Sequence, residues 1–302
     1  MNKEQLKQII PTPIWRLGSA TNLALRFAAQ WPETTFHPLR RASIQRLGEL
    51  KDRHRGQRCF IIGNGPSLKQ TDLSKLKNEF TFGMNRIYLG FPEMGFATTY
   101  FVSVNSLVIE QSAAEIRALP MPKFVSWRSR NLLYPPGTTA GSLPALLKKE
   151  DVTFLHTTYS GPKFARDVRG RVWESATVTN VALQLAYFMG FQTTILIGVD
   201  HTYAAQGKPN TTVVSQGADQ DHFHAGYFGK GFRWQLPDLD TSEQGYHLAQ
   251  QAYTEDGRQV LDATVGGKLT IFPKVDYLSL FGSSNAAGSF TAASSSNPLA
   301  AK

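Results

Sequence analysis

The chain has 302 residues, of which 41% are hydrophobic and 18% charged, so it can bury one large core or two modest ones. Its single cysteine, Cys59, excludes an internal disulfide, and its apolar neighbours predict a small buried residue inside a strand. No apolar run approaches the roughly 18 residues of a membrane span, and the N-terminus lacks a signal peptide's apolar stretch. The net charge of +9 is accompanied by no nucleic-acid-binding motif. We therefore expect a cytoplasmic protein without a nucleic-acid partner.

Much of the positive charge lies before Gly56, where ten basic residues face four acidic ones, a local net charge of +6. Apolar side chains in this segment could insert into an anionic membrane surface. Pro11 and Pro13 interrupt the helical pattern, however, and the clearest helix spans residues 40–50. We favour a basic helical N-terminal extension, residues 1–56, that packs on the core with its basic face in solvent. Peripheral contact with the anionic inner membrane stays the alternative.

From residue 57 to 281, short apolar runs alternate with helical patterns, which predicts an α/β fold: a Rossmann-like, doubly wound, mostly parallel sheet. The predicted strands are residues 58–62, 80–84, 99–104, 123–126, 152–155, 193–200 and 259–263. Helices are predicted at about 179–189 and 242–255. Residues 282–302 are rich in Ser, Ala and Gly, so we expect a disordered tail.

The first predicted strand leads into the turn Gly63-Asn64-Gly65-Pro66-Ser67-Leu68. Two glycines let the backbone turn sharply and approach a ligand, and free N–H groups at the following helix start favour an anion. Asn64 and Ser67 add side-chain donors at the same place, so the turn predicts a phosphate-bearing nucleotide. Leu68 takes the place of the third glycine of a dinucleotide-binding turn, and the sequence is not a Walker A loop.

Polar residues follow three further strands: Asn85, Asn105 and Asp200. Because the carboxyl ends of the strands line the ligand crevice in an open α/β sheet, we expect these residues to converge with Asn64. Each of them taken alone is more often a turn or cap residue.

Residues 204–240 are rich in Gly, Asp, Gln and His and read as a long excursion from the core. Within it, Asp219, Asp221, His222 and His224 form the densest group of titratable side chains. A histidine there is a candidate general base, since its unperturbed pKa is near neutrality. A metal site or a solvated loop are the alternatives, although the spacing fits no zinc signature. The Asp-x-Asp sequence at Asp238 ends no apolar strand, so we expect it to cap the following helix.

The blocks 58–68, 81–88 and 190–200 resemble bacterial proteins of unknown function grouped with motility accessory factors and the archaeal hydroxymethylpterin diphosphokinase. The same blocks resemble bacterial sialyltransferases that use CMP-activated sialic acid. The resemblance spans roughly residues 57–276, and its Gly-Asn-Gly-Pro-Ser-Leu block is typical of the superfamily without separating its members.

The resemblance to the sialyltransferases implies roles for individual residues. Asn64 and Asn85 would hold the nucleotide donor, Asn105 would follow the third strand, and Tyr203, displaced by one position, would contact the phosphate. The catalytic base of those enzymes would fall at Gly226, so the resemblance leaves His222 and His224 as candidates. The complete set of candidate site residues is Gly63, Asn64, Gly65, Ser67, Asn85, Asn105, Asp200 and Tyr203 for the nucleotide and His222 and His224 for catalysis.

These observations lead to three functional expectations. The first is a metal-independent glycosyltransferase that moves a sugar, such as a sialic-acid-like nonulosonic acid, from a CMP donor to a surface glycan or protein. The second is a magnesium-dependent diphosphokinase acting with ATP on a pterin-like alcohol, in which Asp200, Asp219 and Asp221 face the phosphates. The third is a non-catalytic nucleotide-sugar-binding protein of polysaccharide assembly. Only the second would require a cofactor, the magnesium ion.

Overall fold

The structure is a computed structural model that describes residues 12–149, 151–159, 161–204 and 207–282. The expected disorder of the C-terminal tail lies outside the described residues, Gly282 excepted. The same holds for the first eleven residues of the N-terminal extension.

Eight strands form one parallel sheet in the order β10-β7-β1-β2-β3-β4-β5-β6. Two further strands, β8 and β9, form an antiparallel hairpin within the excursion. The strands are β1 (Arg58–Ile62), β2 (Phe80–Met84), β3 (Tyr100–Ser103), β4 (Lys123–Ser126), β5 (Val152–Thr158), β6 (Arg171–Trp173), β7 (Thr193–Ile197), β8 (Thr212–Val214), β9 (Arg233–Gln235) and β10 (Gln259–Asp262). The doubly wound α/β fold is confirmed; β6 and the β8–β9 hairpin were not predicted.

Helices cover both faces of the sheet and form the N-terminal extension. They are α1 (Thr12–Phe36), α2 (Pro38–Leu50), α3 (Phe91–Met94), α4 (Ser106–Gln111), α5 (Ala113–Ala118), α6 (Arg130–Leu133), α7 (Leu143–Leu147), α8 (Val178–Phe188) and α9 (Leu239–Glu255). Short 3-10 helices complete the connections, and the one at Pro66–Gln70 follows β1.

The winding of the sheet reverses at β1. From β1 the chain adds strands in one direction as far as β6, and it then returns to place β7 on the other side of β1. Residues 58–62 pair in parallel register with residues 193–197 of β7. Such a reversal leaves a crevice at the carboxyl ends of the two strands, which is where ligands bind in open α/β sheets.

The sequence of β1 explains its central place. Cys59, Phe60, Ile61 and Ile62 have no exposed surface, because side chains on both faces of the strand pack under helices. Alternate residues enter separate cores, with Cys59 and Ile61 on one face and Phe60 and Ile62 on the other. Burial raises the pKa of the Cys59 thiol, as expected for a packing residue rather than a nucleophile.

The N-terminal extension differs from its prediction. Despite Pro13 and Pro32, α1 is one continuous helix of 25 residues. Arg40 was expected in solvent but is 1% exposed, and its guanidinium donates to the Phe154 and Gly170 carbonyl oxygens, both at 3.1 Å. Burial lowers the pKa of Arg40 to about 10. A buried cation therefore links the extension to β5 and to the residue that precedes β6.

Along α1, by contrast, large apolar side chains face solvent: Leu25, Trp31 and Phe36 are 66%, 58% and 60% exposed. No helix in the described ranges is long and apolar enough to cross a membrane. Peripheral contact of this extension with anionic lipid stays a prediction.

A half-buried histidine on β5, His156, makes the stability of the protein depend on pH. Burial, with a smaller contribution from the Arg171 and Arg40 guanidiniums, lowers the pKa of His156 to about 4. Below pH 6.5 the unfolded chain binds a proton that the folded protein takes up only near pH 4, so stability falls as the pH drops through this window. Between pH 7 and pH 5, wild type should lose about 2 kcal/mol more unfolding free energy than His156→Leu in urea titrations. Identical pH dependence in both proteins would contradict this assignment.

Candidate functional site

A cavity lies at the carboxyl edge of the sheet, over the reversal between β1 and β7. We call it the site cavity. Eight of the ten candidate residues line it: Gly63, Asn64, Gly65, Asn85, Asn105, Asp200, Tyr203 and His222. The other two, Ser67 and His224, are not part of its lining. Strand ends that are distant in sequence are thus brought together, as the parallel-sheet argument predicts.

The two glycines of the turn allow close approach to the end of β7. The Gly65 N–H donates to the Gly198 carbonyl at 2.9 Å. A Cβ atom on Gly65 would lie 1.8 Å from Asp200 Oδ2, and one on Gly63 would lie 2.2 Å from the Gly198 oxygen. A side chain is therefore excluded at Gly63 by the backbone of Gly198 and at Gly65 by the Asp200 carboxylate.

The donors at Ser67 have a partner from the same chain. Its N–H donates to Asp200 Oδ1 at 3.1 Å and its hydroxyl to Asp200 Oδ2 at 2.7 Å, and the residue is 3% exposed. The Asp200 carboxylate therefore occupies the start of the 3-10 helix at Pro66, the position at which the sequence predicts the phosphate of a nucleotide. An anionic ligand in the site cavity needs donors from another element.

The three asparagines have distinct surroundings. Asn64 Nδ2 donates to the Met84 carbonyl at 3.1 Å, while its Oδ1 atom is buried without a hydrogen-bond partner among the described residues. Asn85 adopts a left-handed backbone, with φ of 51°, and accepts the Ser103 hydroxyl at 3.1 Å. Asn105 caps α4 by accepting the Leu107 N–H at 2.9 Å. Asn64 thus retains an acceptor for a ligand hydroxyl. Asn105 lines the cavity but also caps a helix, which was the alternative role expected from the sequence.

The N-terminus of α8 also borders the site cavity. Ala176, Thr177, Val178 and Thr179 line the site cavity, and Thr177 caps the helix by accepting the Thr179 N–H at 3.2 Å. The first N–H groups of a helix lack intrahelical partners and carry partial positive charge. The start of this 11-residue helix is therefore a candidate position for an anion in the cavity.

Strained backbone precedes this helix. Ser175 and Ala176 have φ of 43° and 58°, a left-handed region that costs an L-residue roughly 1–2 kcal/mol. Strain of this kind persists where packing over-determines the chain and is common at functional sites. The packing here comes from α9: a Cβ on Gly245 would lie 2.1 Å from Asn180 Nδ2 and 2.5 Å from the Ser175 Cβ. Tyr246 of α9 also lines the cavity.

His222 faces the cavity from the excursion and is held by Asp219. Its Nδ1 atom lies 2.8 Å from Asp219 Oδ2, and its ring stacks on Tyr227 with centroids 3.9 Å apart. None of the described residues hydrogen bonds its Nε2 atom. A carboxylate on one imidazole nitrogen fixes the tautomer and orientation, and it leaves the other nitrogen to accept a proton.

Asp219 is itself an ordered carboxylate. It accepts the Asp221 N–H at 2.8 Å and the Phe228 N–H at 3.0 Å, and its side chain is 5% exposed. Burial raises the pKa of this carboxyl, but the His222 and backbone hydrogen bonds outweigh that effect and hold it below its usual value. Asp219 stays ionised beside the histidine and would stabilise an imidazolium.

The loop that carries His222 is fixed to the nucleotide side of the site. The Phe223 N–H donates to the Asn64 carbonyl at 2.9 Å. Arg86 donates to the Gly226 carbonyl at 2.9 Å and to the Tyr227 carbonyl. The candidate base and the glycine turn are therefore parts of one assembly.

His224 and Tyr203 differ from His222. The Nδ1 atom of His224 accepts the Gly226 N–H at 3.0 Å, which ties this ring to its own loop outside the cavity lining. Tyr203 lines the cavity, and burial raises the pKa of its hydroxyl, so this group is a protonated hydrogen-bond donor at neutral pH. Of the two candidate histidines, the geometry favours His222 as the base.

Carboxylates near the cavity already have partners in the chain. Asp200 binds Ser67, Asp219 binds His222, and Asp221 Oδ1 accepts the Ala204 N–H at 2.6 Å. Within the described ranges, no group of three or more His, Cys, Asp or Glu side chains is arranged to hold a metal ion.

Sequence reasoning missed the far end of the cavity. Glu174 and Tyr159 line it there, and Arg128 forms a bidentate ion pair with Glu174 behind them. A polar residue directly after a strand was the available signal, but β6 is only three residues long and was not recognised.

The family model "6-hydroxymethylpterin diphosphokinase MptE-like" matches residues 35–206, more than half of the chain. The chain belongs to this MptE-like family. The match begins in α1 and ends beyond β7, so it includes the glycine turn, the start of α8 and Asp200. Asp219 and His222 lie beyond it. The sequence-based assignment to a family related to motility accessory factors and hydroxymethylpterin diphosphokinase is confirmed.

Among solved structures, the MptE-like chain is similar to the MAf glycosyltransferase from Magnetospirillum magneticum AMB-1, with 14% identity and a TM-score of 0.47. The alignment covers 82% of this chain and 40% of that chain, so the chain spans less than half the length of that glycosyltransferase. No curated protein matches the sequence.

Proposed function

We propose that the protein is a glycosyltransferase that binds a nucleotide-activated sugar in the site cavity and uses His222 to deprotonate the acceptor hydroxyl. The observation that carries this proposal is the pairing of His222 with Asp219 in the same cavity as the N-terminus of α8. A base and an anion-binding helix end on one cavity are the two parts that displacement from a sugar phosphate requires.

In the proposed reaction, the acceptor oxygen bonds to the anomeric carbon while the bond from that carbon to the phosphate oxygen breaks. The acceptor proton passes to Nε2 of His222, and Asp219 stabilises the imidazolium. The departing phosphate keeps the electron pair, and the N–H groups at the start of α8, with the Tyr203 hydroxyl, stabilise its charge. Asn64 Oδ1, buried without a partner among the described residues, would accept a donor hydroxyl.

The donor proposed is a CMP-activated sugar of the sialic-acid type, on the strength of the resemblance in the glycine turn and the strand-end asparagines. The acceptor would be a surface glycan or a protein. Since no step above needs a metal ion, we expect transfer in the presence of a chelator.

A second candidate, diphosphate transfer from ATP to a pterin-like alcohol, is favoured by the description of the family. His222 would deprotonate the alcohol in the same way, but the phosphates would arrive with magnesium. That ion takes one or two carboxylates plus substrate phosphates. Both oxygens of Asp200 and of Asp219 accept hydrogen bonds, so the ion would depend mainly on Asp221, whose Oδ1 atom accepts the Ala204 N–H. This requirement makes the diphosphokinase the less favoured candidate.

A thermal-shift panel of CMP, CDP, UDP, GDP and ATP, each with magnesium and with chelator, separates the two candidates. A ligand at 100 times its Kd stabilises the folded state by about 2.7 kcal/mol, which is readily measured. We expect CMP to raise the melting temperature equally with magnesium and with chelator. Stabilisation by ATP that disappears with chelator would favour the diphosphokinase. If CMP stabilised the protein but no acceptor in a broad panel were modified, the result would indicate a non-catalytic nucleotide-sugar-binding protein.

A further inference from the structure

A tyrosine at the far end of the site cavity has the surroundings of a stacking platform. Tyr159 follows β5, lines the cavity and is 47% exposed, which makes its ring one of the larger exposed apolar surfaces of the core domain. The Arg128 guanidinium lies 4.7 Å from the ring centroid. We call these two residues, with Glu174, the Tyr159 platform.

The platform is rigid because its polar groups bind one another. Arg128 donates to both carboxylate oxygens of Glu174, to the Thr157 hydroxyl at 3.1 Å and to the Val104 carbonyl at 3.0 Å. Glu174 is 1% exposed, and burial together with the Glu174 charge raises the pKa of the Tyr159 hydroxyl. The guanidinium beside the ring is thereby fixed by a partly buried ion pair. A preorganised ring loses little conformational entropy when a ligand stacks on it.

The chemistry of this end of the cavity suits a flat aromatic group better than a sugar. A sugar carries hydroxyls around its ring and needs several hydrogen-bond partners there, whereas the Arg128 and Glu174 groups are engaged with each other. What the platform offers is the half-exposed residue Tyr159, whose ring lies beside the Arg128 guanidinium. A nucleobase can stack on an aromatic ring whatever groups its own edge carries, since every base has a π-face.

The chain also connects the platform to the proposed phosphate position. Glu174 is three residues before Thr177, which caps the start of α8. We infer that the nucleobase of the donor stacks on the Tyr159 ring while the phosphate of the donor lies at the start of α8. This inference rests on the proposed function.

Calorimetric titration with CMP and ribose 5-phosphate, which lacks the base, tests this inference. Wild type should bind CMP at least about 5-fold more tightly than ribose 5-phosphate, the lower end of the stacking contribution of one base. Tyr159→Leu should weaken CMP binding by about the same factor and leave ribose 5-phosphate affinity unchanged, which also reports an intact fold. Tyr159→Phe should remain near wild type, since it keeps the ring. Phe36→Leu, an equivalent change at an aromatic residue outside the cavity, should affect neither ligand.

The outcomes separate this inference from the proposed function. Equal wild-type affinities for CMP and ribose 5-phosphate would overturn the stacking role and leave nucleotide binding in place. The stacking role would also be overturned if Tyr159→Leu bound CMP normally but had a raised KM for the acceptor, because the Tyr159 ring would then contact the acceptor. Failure of wild type to bind either phosphate compound would overturn both proposals. If Tyr159→Leu does not fold, the wild-type comparison and Tyr159→Phe decide the question.

Discussion

The transfer rate of His222→Gln is expected to fall about 10²- to 10⁴-fold, the usual contribution of a positioned general base. Glutamine keeps a donor for the buried Asp219 carboxylate, so the loop should hold its conformation, but it cannot take up a proton at neutral pH. The measurement is kcat with the donor that the thermal-shift panel identifies. The affinity for that donor should change little, because the base contacts the acceptor rather than the nucleotide.

Two further variants make this assignment specific. His224→Gln, the matched change two residues away, should retain near wild-type kcat because that ring lies outside the cavity lining. Asp219→Asn should lower kcat because asparagine cannot stabilise the imidazolium and favours a different tautomer of His222. A His222→Gln protein with normal kcat, or a His224→Gln protein with the larger loss, would refute the assignment.

The central strands of the fold were predictable because burial on both faces leaves a continuous apolar run. Residues 58–62, 80–84 and 123–126 were predicted to the residue for β1, β2 and β4. β6 was missed because Arg171 and Trp173 flank a single buried residue, Val172, in a strand of three. The β8–β9 hairpin was missed for a related reason: its residues are exposed or half-buried and show no periodic apolar pattern.

The site was predictable where it depends on strand ends. Asn64, Asn85 and Asp200 follow apolar strands, and parallel pairing brings them to one edge. The partner of each side chain was not predictable, since it depends on distant segments. Asp200 binds Ser67 from 133 residues away, and no local pattern shows that this carboxylate fills the helix start.

The other missing part, the start of α8, has no glycine to mark it. Its left-handed residues are Ser175 and Ala176, which sequence reasoning does not assign to such a backbone. The cap at Thr177 was a usable signal, because a threonine before an apolar helical run is a typical N-cap. Likewise, the choice between His222 and His224 needed the fold, because both histidines lie close to Asp219 and Asp221 in sequence.

Replacing Gly63 with alanine is expected to destabilise the protein by about 3 kcal/mol, at the upper end of the usual cost of overpacking a core. The added Cβ would lie 2.2 Å from the Gly198 carbonyl oxygen and 2.6 Å from its carbon, which are backbone atoms and cannot rotate away. The Gly63 N–H also donates to the Ile197 carbonyl at 2.7 Å, so β1 cannot shift without losing a hydrogen bond at the centre of the sheet.

Gly48→Ala is the matched control, because a Cβ on this residue of α2 meets no atom within 4 Å. Alanine is the better helix former, and we expect it to stabilise the protein by roughly 0.5–1 kcal/mol. Both variants replace glycine with alanine, so urea unfolding compares the free energies of unfolding for the same chemical change at the two positions. If Gly63→Ala were as stable as wild type, β1 and β7 would not meet as closely as described, and the cavity over their junction would lose its structural basis.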